Sequence, residues 1–274
     1  MAESISVLGC GWLGLPLGKV LVGRGYEVYG STTQNKKLKI LQQVGIKPYL
    51  INFSPEINPE VDRLFFQSNV LVVNIPPGRH QENVETYYAQ QISEIVKQSP
   101  SQKIIFISST SVYPNLNREV IEVDIPASDS ERKSLRASGR ALLAAEQVVQ
   151  QYSTQTTIVR FCGLMGPDRH PGRFLAGKQL SSSGQAPINF IHLDDCIAII
   201  LQIIQEGIWG KVFNACADEH PTKEEFYSKA TQKAGLESPE FTSDGKASFK
   251  QINSQKLKDQ LGYQFIYANP SDAL

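Results

Sequence analysis

A doubly wound parallel α/β sheet is the fold class that three features of this sequence predict. The apolar run Ile5-Ser6-Val7-Leu8 leads directly into Gly9-Cys10-Gly11-Trp12-Leu13-Gly14, a G-x-G-x-x-G pattern, and then into a helical stretch. Residues 70–73 and 103–107 are short apolar runs of the kind buried on both faces of a parallel sheet. Strand-like and helix-like segments alternate as far as Phe161. The expected architecture is Rossmann-type, with a smaller C-terminal substrate lobe.

Each element has a local reason. Residues 15–24 read as the first helix, with Pro16 in the first turn, where a missing N–H costs little, and Gly23-Arg24-Gly25 as its stop. A second strand is expected at 26–29, a helix at 36–44, a third strand at 48–53 and a fourth at 70–73. A helix over 83–98 leads to the strand at 103–107, and a helix over 137–152 leads to one at 157–161. Between them, 120–134 is polar, contains Pro126 and several acids, and reads as a loop. Beyond Gly163 the pattern loosens into a Gly/Ser/Pro-rich stretch to 187, with a short helix expected at 174–180. Elements return at 188–192, 194–205, 212–216 and 222–234, the last opened by Thr222 with Glu225, a capping-box pair. The expected division is a dinucleotide-binding domain at 1–162 and a substrate-side lobe at 163–274, with about 188–217 rejoining the sheet.

Composition narrows the partners. Lys+Arg of 27 balance Asp+Glu of 27, so there is no broad electrostatic pull toward nucleic acid or anionic lipid, and a small-molecule partner is expected. Cys10, Cys162, Cys196 and Cys216 form no C-x-x-C pair, which suits reduced thiols and predicts neither a disulfide nor a metal site. The N-terminal residues carry no basic leader, and no apolar run reaches membrane-spanning length. A cytoplasmic protein, monomer or homodimer, is the expectation.

The glycine pattern carries chemistry because of where it stands. Gly9 makes the tight turn, Gly11 lets the backbone approach a pyrophosphate, and Gly14 lets the helix pack closely on the strand, with Trp12 and Leu13 between them at the helix start. A ligand-free strand-to-helix turn is the competing reading, disfavoured by the flanking strand and helix. An NAD site places an acid after strand two to hold the ribose hydroxyls. Here the segment is Gly30-Ser31-Thr32-Thr33-Gln34-Asn35-Lys36-Lys37, without an acid. Ser31, Thr32 and Thr33 offer hydroxyls to a 2′-phosphate and Lys36 can neutralise it, so NADP is expected, with NAD as the alternative. Lysines at a helix start are otherwise electrostatically unfavourable.

Further motifs are Ile107-Ser108-Ser109-Thr110-Ser111-Val112-Tyr113, Gly163-Leu164-Met165-Gly166-Pro167, Phe190-Ile191-His192-Leu193-Asp194-Asp195 and Leu261-Gly262-Tyr263. With the glycine turn, they resemble the extended short-chain dehydrogenase/reductase family, in its nucleoside-diphosphate-sugar epimerase/dehydratase branch, over nearly the whole chain. The spacing departs from the usual G-x-x-G-x-x-G, which places the chain nearer the atypical members. The resemblance implies a helix carrying Tyr and, four residues later, Lys, the general acid/base and the group that lowers its pKa. Aligning Ala144-Ala145-Glu146 puts Ser138 and Leu142 there, and neither can take the role. Ser109 matches the family's catalytic Ser/Thr, although its hydroxyl reads equally as a cap for backbone groups at the strand end. Tyr87, Tyr88 and Tyr113 are the candidate surrogate acids. The resemblance further puts Asn74, Ile75 and Pro76, with Gly78-Arg79-His80, along the cofactor wall, and Ser111, Arg169 and Arg173 at the substrate. His192 reads as structural. The implied function is an NAD(P)-binding oxidoreductase or epimerase acting on a sugar nucleotide or similar anionic metabolite; the alternative is a non-catalytic NADP(H)-binding redox sensor that regulates a partner.

Overall fold

A computed structural model describes residues 3–52, 63–78, 83–99, 103–181, 183–242 and 248–274. In chain order it begins with β1 (Ser4–Leu8), α1 (Gly14–Gly23), β2 (Glu27–Thr32), α2 (Asn35–Gln43), β3 (Lys47–Leu50), α3 (Arg63–Phe66), β4 (Val70–Val73), α4 (Val84–Lys97) and β5 (Lys103–Ser109). A 3-10 turn (Thr110–Val112) leads to β6 (Glu119–Val120), α5 (Asp129–Ser134), α6 (Ala137–Tyr152), β7 (Thr156–Phe161), β8 (Gly163–Met165), α7 (Gly172–Leu175) and β9 (Gln179–Leu180). The chain continues through β10 (Phe190–His192), α8 (Leu193–Glu206), β11 (Val212–Ala215), α9 (Lys223–Lys233), β12 (Glu240–Phe241), β13 (Gln251–Ile252), α10 (Gln255–Leu261) and a 3-10 turn (Pro270–Ala273).

The main sheet has seven strands in the order β11-β7-β5-β4-β1-β2-β3, with β1 at the point where the chain reverses direction across the sheet. The pairs β1–β2, β1–β4, β2–β3 and β4–β5 are all parallel. Parallel pairing explains the unbroken apolar runs: Val70 to Val73 and Ile104 to Phe106 are fully buried, because helices cover both faces of such a sheet.

The chain folds into two compact units, one of residues 1–112, 135–159 and 200–212, the other of 113–134, 160–199 and 213–274. In the first, α4 packs along α6, and Leu17 and Leu21 of α1 are fully buried. The second has its own core of Met165, Ile188, Phe190 and Phe226, with the rings of Phe190 and Phe226 stacked at 5.1 Å.

Three expected elements differ. The polar stretch 120–134 is not all loop: Ser128 Oγ accepts from Glu131 N (3.3 Å), while Glu131 Oε2 accepts from Ser128 N (3.2 Å). That reciprocal cap starts α5 although no residue of the helix is buried. The expected helix at 174–180 is a single turn, α7, followed by β9, because Gly177 takes a left-handed φ of 63° and its N–H bonds Glu237 O (3.0 Å). The third strand ends at Leu50; its expected terminal residue, Phe53, lies outside the described residues, as do Arg79 and His80. The Thr222–Glu225 capping box is formed as expected.

Candidate dinucleotide-binding site

The end of β1 is held by backbone geometry that only glycine permits at two positions. Gly9 has φ +99°, and a Cβ there would stand 2.5 Å from Asn74 O. A Cβ on Gly14 would stand 2.2 Å from Gly9 O, so α1 meets the strand end by direct backbone contact. Gly11 differs: a Cβ there would meet nothing within 4 Å, and its φ is not left-handed. The protein itself makes no demand for glycine at position 11.

Hydrogen bonds lock the turn around that open position. Gly9 N donates to Ser31 Oγ (2.8 Å), Cys10 N to Ser31 O (2.8 Å), Gly11 N to Gly9 O (2.9 Å) and Asn74 Nδ2 to Gly9 O (3.0 Å). The Cys10 thiol is pushed up to about 12 by burial, and a Cβ on Gly30 would stand 2.7 Å from its sulfur, so it is an inert filler beneath the turn. α1 follows with Leu13 at its N-cap, no side-chain cap and no acid in its first turn. Such a helix start presents N–H groups and the positive end of the dipole to an anion. These residues fit a dinucleotide pyrophosphate.

The other expected cofactor residues divide into two kinds. Ser31 and Asn74 face inward to the turn, and Tyr88 OH donates to Ile75 O (2.6 Å), so Ile75 is fixed through its carbonyl. Thr32 is buried with Oγ1 accepting from Gln34 N (3.2 Å). Pro76, Thr33 and Lys36 are exposed, and Trp12 is half-buried. Thr33 and Lys36 stand at the start of α2, whose first turn also has no acid and whose N-cap, Gln34, makes no side-chain cap.

At the end of β5, Ser109 and Ser108 have separate roles. Ser109 is half-buried and its Oγ accepts from Ser111 N (3.1 Å), which leaves the hydroxyl proton to donate. Ser108 donates to Glu146 Oε1 of α6 (2.5 Å) inside the core. The first residues of α6 sit hard against the 3-10 turn, because a Cβ on Gly139 would stand 2.3 Å from Ser111 O. On this helix Ser138 is exposed and Leu142 is buried. Arg140 turns aside to Leu135 O (Nη1, 2.7 Å) and Glu85 Oε2 (Nε, 3.3 Å).

In the second unit, Tyr113 OH donates to Asn214 Oδ1 (2.6 Å) and receives Arg160 Nη1 (2.6 Å), so this tyrosine is committed to a buried network. Tyr88 is likewise buried, with burial raising its hydroxyl pKa, whereas Tyr87 is half-buried. Arg169 is half-buried, bridging Gly166 through the backbone, and Arg173 is exposed at the start of α7. His192 Nδ1 accepts from Asp194 N (3.2 Å) and the ring lies 4.4 Å from that of Tyr267, as its structural reading requires. Sequence reasoning missed Asp195: fully buried, it accepts from Tyr263 OH (2.7 Å), Ile266 N (2.7 Å) and Tyr267 N (3.2 Å), anchoring the stretch after α10. Burial and this carboxylate both raise the Tyr263 pKa. Among the described residues there is no group of three or more His, Cys, Asp or Glu arranged for a metal ion, and no helix long and apolar enough to cross a membrane.

Residues 5–216 match the family model described as NAD dependent epimerase/dehydratase family, a span that runs from β1 through β11. The chain belongs to that family. It is 34% identical to Protein YeeZ of Escherichia coli strain K12 over 98% of this chain and 97% of the relative. Among solved structures, UDP-glucuronic acid 4-epimerase from Bacillus cereus, in complex with NAD, superposes with a TM-score of 0.80 at 19% identity, covering 99% of this chain and 96% of that one. A conserved protein of unknown function from Silicibacter pomeroyi DSS superposes at 0.76 with 20% identity and the same coverage. The family is described as NAD dependent, and the turn at Gly9 to Gly14 leaves Gly11 open to the close backbone approach that a dinucleotide pyrophosphate needs.

Proposed function

We propose that this protein is a cytoplasmic, NADP-preferring enzyme of the epimerase/dehydratase family that acts on a sugar nucleotide or a related anionic metabolite. The observation that carries the reading is the contrast within the glycine turn: protein contacts require Gly9 and Gly14, whereas Gly11 faces open space, where a pyrophosphate can come against the backbone. The nicotinamide, when bound, supplies hydride transfer. The start of α1 offsets the pyrophosphate charge, while Thr33 and Lys36 at the start of α2 take a 2′-phosphate. Ser109, held by Ser111 N, keeps its proton for the reacting oxygen of the substrate. Arg169 and Arg173 supply guanidinium groups suited to a substrate diphosphate. With Ser138 and Leu142 where the family's Tyr and Lys stand, general acid/base work falls to water or to another group.

The test is turnover of a panel of UDP- and dTDP-sugars with NADPH or NADH, followed by product chromatography and nicotinamide absorbance. At least one substrate turned over, with Ser109→Ala suppressing it, is the expected result. The exposed Ser138 and buried Leu142 favour a second reading, a non-catalytic NADP(H) sensor acting on a partner. Tight NADPH binding with no turnover anywhere on the panel, and a partner captured in one redox state only, would replace the first reading with the second.

A further inference from the structure

Cys162 and Cys216 are far apart in sequence and adjacent in the sheet. In a parallel ladder, an N–H bonded to the carbonyl of one residue stands opposite the next residue along. Ile158 N bonds Lys211 O (2.8 Å), which sets Ile158 opposite Val212; Cys162 N bonds Ala215 O (3.2 Å), which keeps the register and sets Cys162 opposite Cys216. Paired residues on one face of neighbouring strands stand about 4.8 Å apart. That lies inside the Cα separation a disulfide accepts, about 4.4–6.8 Å. The Cys216 thiol donates to Phe190 O (3.7 Å) and Asn189 Oδ1 (4.0 Å). The ladder also ends here, since Ala217 N turns away to Phe190 O (3.0 Å), so the strand ends have room to adjust to a covalent link.

Access comes from one side. Cys216 lines a polar cavity of about 210 Å³ together with Asp218, His220, Gln251, Ser254 and Lys258. Asp218 and Lys258, paired at 2.7 Å, keep 36% and 30% of their side chains exposed, so the cavity reaches the surface. Cys216 itself is fully buried, so an oxidant in this cavity reaches its sulfur only on local opening. Burial together with the neighbouring Cys216 thiol raises the Cys162 pKa well above the ordinary range. Cys196, the third buried thiol of this unit, is carried by α8 and is also raised by burial.

We propose that Cys162 and Cys216 form a redox-active pair that a hydroperoxide converts to a disulfide in the folded protein. The sulfur of Cys216 attacks the peroxide O–O bond, giving a sulfenic acid and releasing water or an alcohol. The sulfur of Cys162 then attacks the sulfenic sulfur and releases water. Two thiols lose two protons and two electrons in total, and the hydroperoxide is reduced. With Cys162 5% exposed and Cys216 fully buried, the rate is set by local opening rather than by thiol chemistry alone.

The experiment is peptide mapping by mass spectrometry after hydrogen peroxide treatment of the native chain, with remaining thiols alkylated under denaturing conditions. A linked Cys162–Cys216 peptide, reversed by dithiothreitol, is expected, while Cys10 and Cys196 remain alkylatable. In the Cys162→Ser variant, dimedone should trap a sulfenic acid at Cys216; in Cys216→Ser it should trap none at Cys162. Full alkylation of both cysteines after prolonged oxidation of the folded wild type, or a disulfide from either one to Cys196, overturns the proposal.

Discussion

The glycine turn at residues 9–14 and the first turns of α6 both touch backbone through a glycine, and they end in opposite chemistry. At the turn, Gly9 and Gly14 close a backbone contact around Gly11, which is left facing open space. On α6, Gly139 presses against Ser111 O just as closely, but the flanking positions hold a solvent-facing Ser138 and a core Leu142. One region keeps its shape and a vacancy of side chain that a ligand can use. The other keeps its shape and carries no titratable group at either of the aligned positions. Backbone contact and side-chain chemistry are thus specified by different residues.

The largest expected effect divides the turn itself. Gly14→Val drives Cβ into Gly9 O and should cost about 3 kcal/mol or more, seen as a large drop in melting temperature. Gly11→Ala adds a Cβ that meets no protein atom within 4 Å, so melting should move by no more than about 2 °C, while NADPH affinity falls at least ~100-fold, equivalent to about 2.7 kcal/mol. Calorimetric titration and thermal melting on both variants separate the two effects; unchanged NADPH affinity in Gly11→Ala would show that the dinucleotide lies elsewhere. Next in size is the α6 face. Installing Ser138→Tyr together with Leu142→Lys should raise turnover about 10- to 100-fold and add an alkaline limb to the pH–rate profile, as a positioned acid with a cationic neighbour does. The buried position of Leu142 means a stability loss of about 1–3 kcal/mol accompanies the gain. Turnover that does not rise in the folded double variant would detach the α6 face from the reacting atoms.

Much of the turn was legible because its constraints are local. Glycines at fixed offsets between an apolar strand and a helix state their own geometry, and the apolar runs at β4 and β5 could belong to little but a doubly covered sheet. Long-range pairing was not legible. The sequence offers Ser31 to a phosphate but does not show that its Oγ also accepts from Gly9 N, a contact across 22 residues. Asp195 reads in sequence as one of two acids at a helix start, and only the fold brings Tyr263 and the 266–267 amides onto it. The α5 cap was within reach, since Ser128 and Glu131 have capping-box spacing; the surrounding polarity hid it.

Ser109 tests where the two regions share a task. Its Oγ already accepts from Ser111 N, so Ser109→Ala leaves that amide without its partner and removes the donor proposed for the substrate. If both roles operate, kcat should fall about 10-fold, roughly 1.4 kcal/mol, with a stability loss of only about 1 kcal/mol. Ser109→Thr keeps the hydroxyl and should restore most of the rate. A variant that loses stability but no rate would leave Ser109 as a cap for the 3-10 turn alone.

The smallest expected effect concerns which dinucleotide the turn accepts. Ser31 Oγ and Thr32 Oγ1 also hold the local backbone by accepting from Gly9 N and Gln34 N, whereas Thr33 and Lys36 are exposed and can be changed without breaking those bonds, so discrimination is tested on Thr33 and Lys36. Both groups are solvated, and screened surface charges contribute modestly, which bounds the preference. Thr33→Ala with Lys36→Ala should weaken NADPH about 5- to 10-fold, leave NADH within about 2-fold, and flatten the salt dependence of NADPH binding. The pyrophosphate contacts at the start of α1 are common to both cofactors, so an equal loss for NADPH and NADH would mean that the double change disturbs α2 as a whole. In that case the lysines at its first turn face solvent for reasons unrelated to a phosphate.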